Sequence, residues 1–209
     1  MIIEQILVTN MAVFCYLLVD EVTKEAILID PAGDYKKIFT RIENHNAKIR
    51  YIVNTHGHFD HTSGNSFFRS QTDAVFLIHE DDVRFLRKVS EDEYYPFSKG
   101  KDDPERKVLL LADNDCITIG STRLWVIHTP GHSPGCICLY SSGNVFTGDT
   151  LFTEGYGRTD IPGGSEVLLM KSIREKILTL PDDTVIWPGH HYGRRPTSTV
   201  AEQKKKFRI

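Results

Sequence analysis

Residues 53–64 read VNTHGHFDHTSG, which places His56, His58, Asp60 and His61 inside six positions. The cluster follows IRYIVN (residues 49–54), an apolar run that reads as a strand, so it stands at a strand's C-terminal end. Alternate residues of an extended segment point the same way, and His56 and His58 can therefore converge on one ion. Past the turn, Asp60 and His61 can face a second point nearby. Imidazole suits zinc, iron and similar ions, while a carboxylate completes or bridges a pair. Gly57 leaves room for a close backbone approach.

Four such donors do not complete two metal sites, so the remainder must come from other strand ends. His132 follows LWVIHTPG, Asp149 follows NVFTG, and His190 follows TVIWPG. Each stands where an apolar strand meets a Gly-containing loop, a usual position for site residues on a rigid scaffold. His45, His79 and His128 lack that context and read as structural or exposed.

The apolar pattern around these points sets the organisation. IIEQILV, AVFCYLLVD and EAILIDP open the chain as a strand meander. A helix is expected over 34–45, with Asp34 placed to cap it and Tyr35, Ile38, Phe39 and Ile42 on one stripe. After the histidine cluster, a short helix begins near Ser63-Gly64-Asn65, followed by the strand AVFLIH and a helix in HEDDVRFLRKV. Residues 90–107, SEDEYYPFSKGKDDPERK, read as a solvated loop or as a lid over a cleft. The second half repeats the plan with strands DCITIG, TRLWVIH, CICLY and NVFTGD, a helix over 166–178, and the strand TVIWP. Strands with interspersed helices in two similar halves imply two packed mixed sheets with helices outside. No linker divides residues 1–209, which read as a single domain.

Composition limits the function classes. Lys and Arg number 25 against 28 Asp and Glu, a net charge of -3, with no basic stripe for a nucleic acid. The longest N-terminal apolar run, Met11 to Val19, is short of the ~20 residues a bilayer span needs. No basic segment precedes it and no small-residue cleavage site follows, so a cytoplasmic protein without a membrane partner is expected. Cys15, Cys116, Cys136 and Cys138 form no CxxC pair and read as buried small hydrophobes in a reducing compartment.

The ordered set THGHFDH, PGHSPG, TGDTLF and PGH resembles the metallo-β-lactamase superfamily over nearly the whole chain. The resemblance implies an αββα sandwich, two mixed β-sheets flanked by helices, with a dinuclear site at one edge. It assigns His56, His58 and His132 to one metal, Asp60, His61 and His190 to a second, and Asp149 to a bridge. Within the superfamily the chain is most similar to the short glyoxalase II-like (hydroxyacylglutathione hydrolase-like) branch. Gly157-Arg158-Thr159-Asp160 resembles a GRxD loop of that branch.

Two dications, Zn2+ or a mixture with Fe or Mn, can share a water and lower its pKa from 15.7 to roughly 7. The resulting hydroxide would attack a carbonyl, with Asp60 and Asp149 as the catalytic carboxylates. The expected activity is hydrolysis of a thioester or related ester, on a small molecule such as a glutathione or other thiol conjugate. Arg158 and Tyr192 are candidate substrate-binding residues, beside His191, Arg194 and Arg195 as weaker ones. The alternative is a persulfide dioxygenase, in which His56, His132 and Asp149 alone hold Fe2+. HHYGRRPTSTVAEQ resembles the tail of that branch, and GRTD occurs there too. All seven ligands for two metals are present, which favours the hydrolase. A non-catalytic metal-binding module is the third reading.

Overall fold

The computed structural model describes residues 1–8, 11–86 and 108–208. The apolar runs of the first half become β1 (Ile2–Val8), β2 (Val13–Val19), β3 (Glu25–Ile29), β4 (Lys48–Val53), β5 (Val75–His79) and β6 (Val108–Leu111). They lie in that order in one sheet, antiparallel from β1 to β3 and parallel from β3 to β6. The second sheet holds β7 (Cys116–Ile119), β8 (Thr122–His128), β9 (Ile137–Ser141), β10 (Asn144–Gly148), β11 (Val185–Pro188) and β12 (Ser198–Thr199). Its order is β12-β11-β10-β9-β8-β7, with β10 and β11 parallel and the other pairs antiparallel.

The unbroken apolar run of β2 explains the layering. All seven residues are buried because both faces of the strand are covered. Phe14, Tyr16 and Leu18 point inward against Ile117, Leu124, Leu139 and Phe146 of the second sheet. Cys15, Leu17 and Val19 point outward, under Ile38 and Ile42 of α1 (Tyr35–Asn44) and Phe68 of α3 (Asn65–Gln71). The outer face of the second sheet packs Cys138, Val145 and Ile186 against Leu169 of α5 (Glu166–Ser172), the π-turn Ile173–Ile177, and Val200 of α6 (Val200–Phe207). Each such aliphatic side chain, fully buried, contributes about 1.5–3 kcal/mol. The expected αββα sandwich is what forms.

Several local expectations need correction. Asp34 precedes α1 but does not cap it, because its φ of 44° is left-handed whereas a capping side chain needs extended backbone. Its carbonyl instead accepts from Lys37 N, 2.8 Å away. Cys116 is exposed, since alternation along β7 turns Ile117 and Ile119 inward and Cys116 outward. The helix over 166–178 is two pieces, α5 and the π-turn, with Ser165 capping the first. HEDDVRFL opens with a 3-10 turn, Glu80–Asp82, before α4 (Val83–Leu86). The 90–107 loop lies outside the described residues. Among those described, no helix is long and apolar enough to cross a membrane.

The two sheets also meet through polar contacts at one edge. Tyr16 donates its hydroxyl to the Pro188 carbonyl at 2.5 Å, and Phe14 N donates to the Gly189 carbonyl at 2.8 Å. These bonds hold the end of β11, and with it His190, against the start of β2.

Candidate metal centre

The three separated strand ends do come together with the first cluster. β4 leads into His56 and His58, and the short helix α2 (Phe59–Thr62) carries Asp60 and His61. The β8–β9 connection supplies His132, the end of β10 supplies Asp149, and the end of β11 supplies His190. His58 Nδ1 and His132 Nε2 are 2.8 Å apart, with the His56 ring beside both at centroid distances of 4.7 and 4.9 Å. On the other side, His61 Nε2 and His190 Nε2 are 3.1 Å apart, and Asp60 Oδ2 lies 3.7 and 3.5 Å from them.

Asp149 stands between the groups. Its Oδ1 is 3.2 Å from His61 Nε2, while its Oδ2 is 3.5 Å from His132 Nε2 and 3.4 Å from His190 Nε2. Two donors bound to one cation at 2.0–2.2 Å and a tetrahedral angle stand ~3.4 Å apart. The separations on both sides of Asp149 bracket that spacing.

The opposite ring nitrogens show why these atoms face inward. His61 Nδ1 meets Asp30 Oδ2 at 2.9 Å, His132 Nδ1 donates to the Arg158 carbonyl at 2.7 Å, and His190 Nδ1 donates to the Met11 carbonyl at 2.9 Å. An imidazole whose far nitrogen donates a proton presents a lone pair at the near one. His56 Nδ1 meets Thr55 Oγ1 at 3.1 Å, and its Nε2 is buried without a hydrogen-bond partner among the described residues. A buried polar atom without a partner costs about 1–3 kcal/mol, and a cation would satisfy it. The donor set of imidazoles and carboxylates fits a pair of borderline dications.

Electrostatics point the same way. Burial opposes a charge on His61, yet Asp149 and Asp30 outweigh it and lift the imidazole well above its usual value. Burial likewise opposes His190, but hydrogen bonds to Asp149 and Asp60 raise it to about 9. The Asp149 carboxyl, which burial alone would push up, is held well below the usual carboxylate range by His61 and His190. His56 moves down, through burial and then its neighbour His61. Three carboxylates packed into a buried cluster create a strong local demand for positive charge.

A cleft of about 590 Å³ opens onto Asp60, Asp149, His58, His132 and His190. Met11, Phe152, Tyr156, Ile161, Pro162 and Tyr192 give it apolar walls, with Glu154 and Arg158 as its other polar members. Tyr192 stacks on His190 at 4.4 Å and 10°. Arg158 lies in the cleft wall with its guanidinium held by Asp160 through two bonds of 2.9 and 3.0 Å. Arg195 pairs with Glu202, and His191 packs against Phe14. His79 and His128 stack on each other at 4.0 Å, and His45 pairs with Glu4.

Asp30 is a site residue that the sequence reading passed over. It bonds Thr55 N, Thr55 Oγ1 and His61. A signal was present, because EAILID ends an apolar strand on an acid just as NVFTGD does. The Met11 carbonyl carried no comparable signal, since backbone groups are indifferent to residue type.

Comparison with known proteins agrees with this geometry. Residues 8–190 match the family described as Metallo-beta-lactamase superfamily. A relative from Bacillus subtilis, the probable polyketide biosynthesis zinc-dependent hydrolase PksB, is 31% identical over 90% of this chain and 77% of its own. The human mitochondrial persulfide dioxygenase ETHE1 is 34% identical over 91% of this chain and 68% of its own. The crystal structure of TTHA1623 in a di-iron-bound form superposes with a TM-score of 0.78, at 26% identity over 97% of both chains. With the ordered motifs, the sandwich and the convergent donors all in place, the chain belongs to the metallo-β-lactamase superfamily.

Proposed function

We propose that the protein is a dinuclear metal-dependent hydrolase of the glyoxalase II-like type, cleaving a thioester or related ester of a small thiol conjugate. The observation that carries this reading is the completeness of the second donor group. Asp60, His61 and His190 each offer a ligand atom within 4.8 Å of the others, the same bound that His56, His58 and His132 meet. In this reading His56, His58 and His132 hold the first cation, Asp60, His61 and His190 the second, and Asp149 reaches both. Zinc is the first choice, and iron is compatible with the same donors.

What the two cations supply when bound is Lewis acidity and activation of water at neutral pH. The remaining work falls to the chain. Asp60 borders the cleft with its carboxylate facing it. It is thus placed to accept a proton from water in the cleft. Tyr192 fixes the His190 ring and forms one wall for the substrate, while Arg158 offers a polar contact at the cleft's edge. A thiolate leaves with little protonation, because a free thiol titrates near ~8.5, so no dedicated general acid is required.

Similarity to the human persulfide dioxygenase supports a second reading, in which His56, His132 and Asp149 alone hold Fe2+. One experiment separates the two. Purified protein is assayed in parallel for S-lactoylglutathione cleavage and for O2 uptake with glutathione persulfide. Cleavage without O2 uptake upholds the hydrolase, and O2 uptake without cleavage replaces it with the dioxygenase.

A further inference from the structure

We propose that Asp82 is the positioning residue of the first donor group, setting the distance between its two histidine loops. The inference rests on the metal-centre reading above but concerns a residue outside the donor set. Asp82 belongs to the 3-10 turn after β5 and is completely buried. Its Oδ2 accepts from Gly57 N at 2.7 Å and from Ser133 Oγ at 2.7 Å, and its Oδ1 accepts from Gly135 N at 2.6 Å. Gly57 separates His56 from His58, and Ser133 directly follows His132. One carboxylate therefore joins the two loops whose imidazoles meet at 2.8 Å.

The packing around it leaves no slack. A Cβ on Gly57 would stand 2.9 Å from the Asp82 carbonyl oxygen, and one on Gly135 would stand 2.6 Å from Asp82 N. Phe85, one turn further on, presents its ring edge to His58 at 5.9 Å. The segment 80–86 thus touches the first donor group twice, through a carboxylate and through an aromatic ring. Among the described residues, Asp82 itself makes no hydrogen bond to Asp60, His61 or His190, so its influence falls on one half of the site.

The chemistry demands a carboxylate. Both oxygens accept, from two fixed N–H donors and a hydroxyl. An amide in the same place turns its NH2 toward either Gly57 N or Gly135 N, setting donor against donor in both orientations. Groups that hydrogen-bond a metal ligand directly typically carry a 10–100-fold effect on metal affinity, and Asp82, which bonds the residues beside the ligands, belongs at the low end of that range.

The test compares wild type, Asp82→Asn and Ser133→Ala by titrating Zn2+ against a chromophoric chelator, with thermal unfolding of the metal-free form of each. In Asp82→Asn one of the two Zn2+ ions should bind about tenfold more weakly while the other is unchanged. Ser133→Ala, which removes one bond and no charge, should weaken that same ion about fivefold. If Asp82→Asn does not fold, Ser133→Ala decides alone. Unchanged affinities, equal losses at both ions, or a loss matched by collapse of the metal-free fold in Ser133→Ala would overturn the proposal. A wild type that takes up fewer than two ions would instead sink the dinuclear reading, a distinct result.

Discussion

His61 is the side chain on which the two activities part. It belongs only to the second donor group, and a mononuclear Fe2+ site does not need it. In the hydrolase, His61→Ala should lower kcat/KM on S-lactoylglutathione by at least 100-fold and lose one metal per chain. Wild-type turnover in that variant would contradict the two-metal reading. Asp30→Asn tests the layer behind it: the His61 ring loses its anionic partner, and metal affinity should fall 10–100-fold by chelator competition. The seven residues that converge were legible because histidine and aspartate at strand ends carry their chemistry in their identity. Asp30 ends an apolar strand with the same signal as Asp149 and was passed over, while Asp82 was not legible, since a carboxylate in a turn resembles any turn-forming acid until the fold shows what it touches.

At the scale of elements, the turns and caps decide how firmly the sandwich closes. Asp20, in the β2–β3 turn, accepts from Thr23 N at 2.9 Å and, across the sheets, from Ser121 N at 3.1 Å. Bonds from the Thr23 backbone, then its hydroxyl and Ser121, hold this carboxyl below the usual range despite the opposing effect of burial. A carboxyl lowered on folding contributes stability above its unfolded pKa of about 3.9, and that contribution disappears as pH falls through the folded value. Asp20→Asn should therefore lower Tm at pH 7, with the gap to wild type narrowing below about pH 4. A gap independent of pH would refute the assignment. At the C-terminus, Thr199 and Glu202 form a capping box on α6, and Thr199→Ala should cost roughly 1 kcal/mol in denaturant unfolding. The sequence carried that T-x-x-E signature next to an apolar residue, so α6 was readable in principle. β6 was harder, because four residues after the charged stretch 90–107 give no periodicity to weigh. The misplaced Asp34 cap shows the complementary limit, where residue type suggests a cap and a left-handed backbone prevents it.

For the whole molecule, the legible quantity was the layering. Strands apolar on both faces, such as β2, must be covered twice, and helices carrying a single apolar stripe supply the cover. What the pattern could not convey was the order of the strands within each sheet. That order brings the ends of β4, β10 and β11 to one edge, since pairing register depends on tertiary contacts such as Tyr16 with Pro188. If the edge is held together by cations as well as by these bonds, removing them should loosen it. With free metal at ~100 times its dissociation constant, chelation should cost about 2.7 kcal/mol per site, read as a drop in Tm that restored metal reverses. The most direct measurement is the metal content per chain of freshly purified protein, repeated after reconstitution with excess Zn2+. The account predicts two ions per chain at saturation, whereas a content that saturates at one would contradict it.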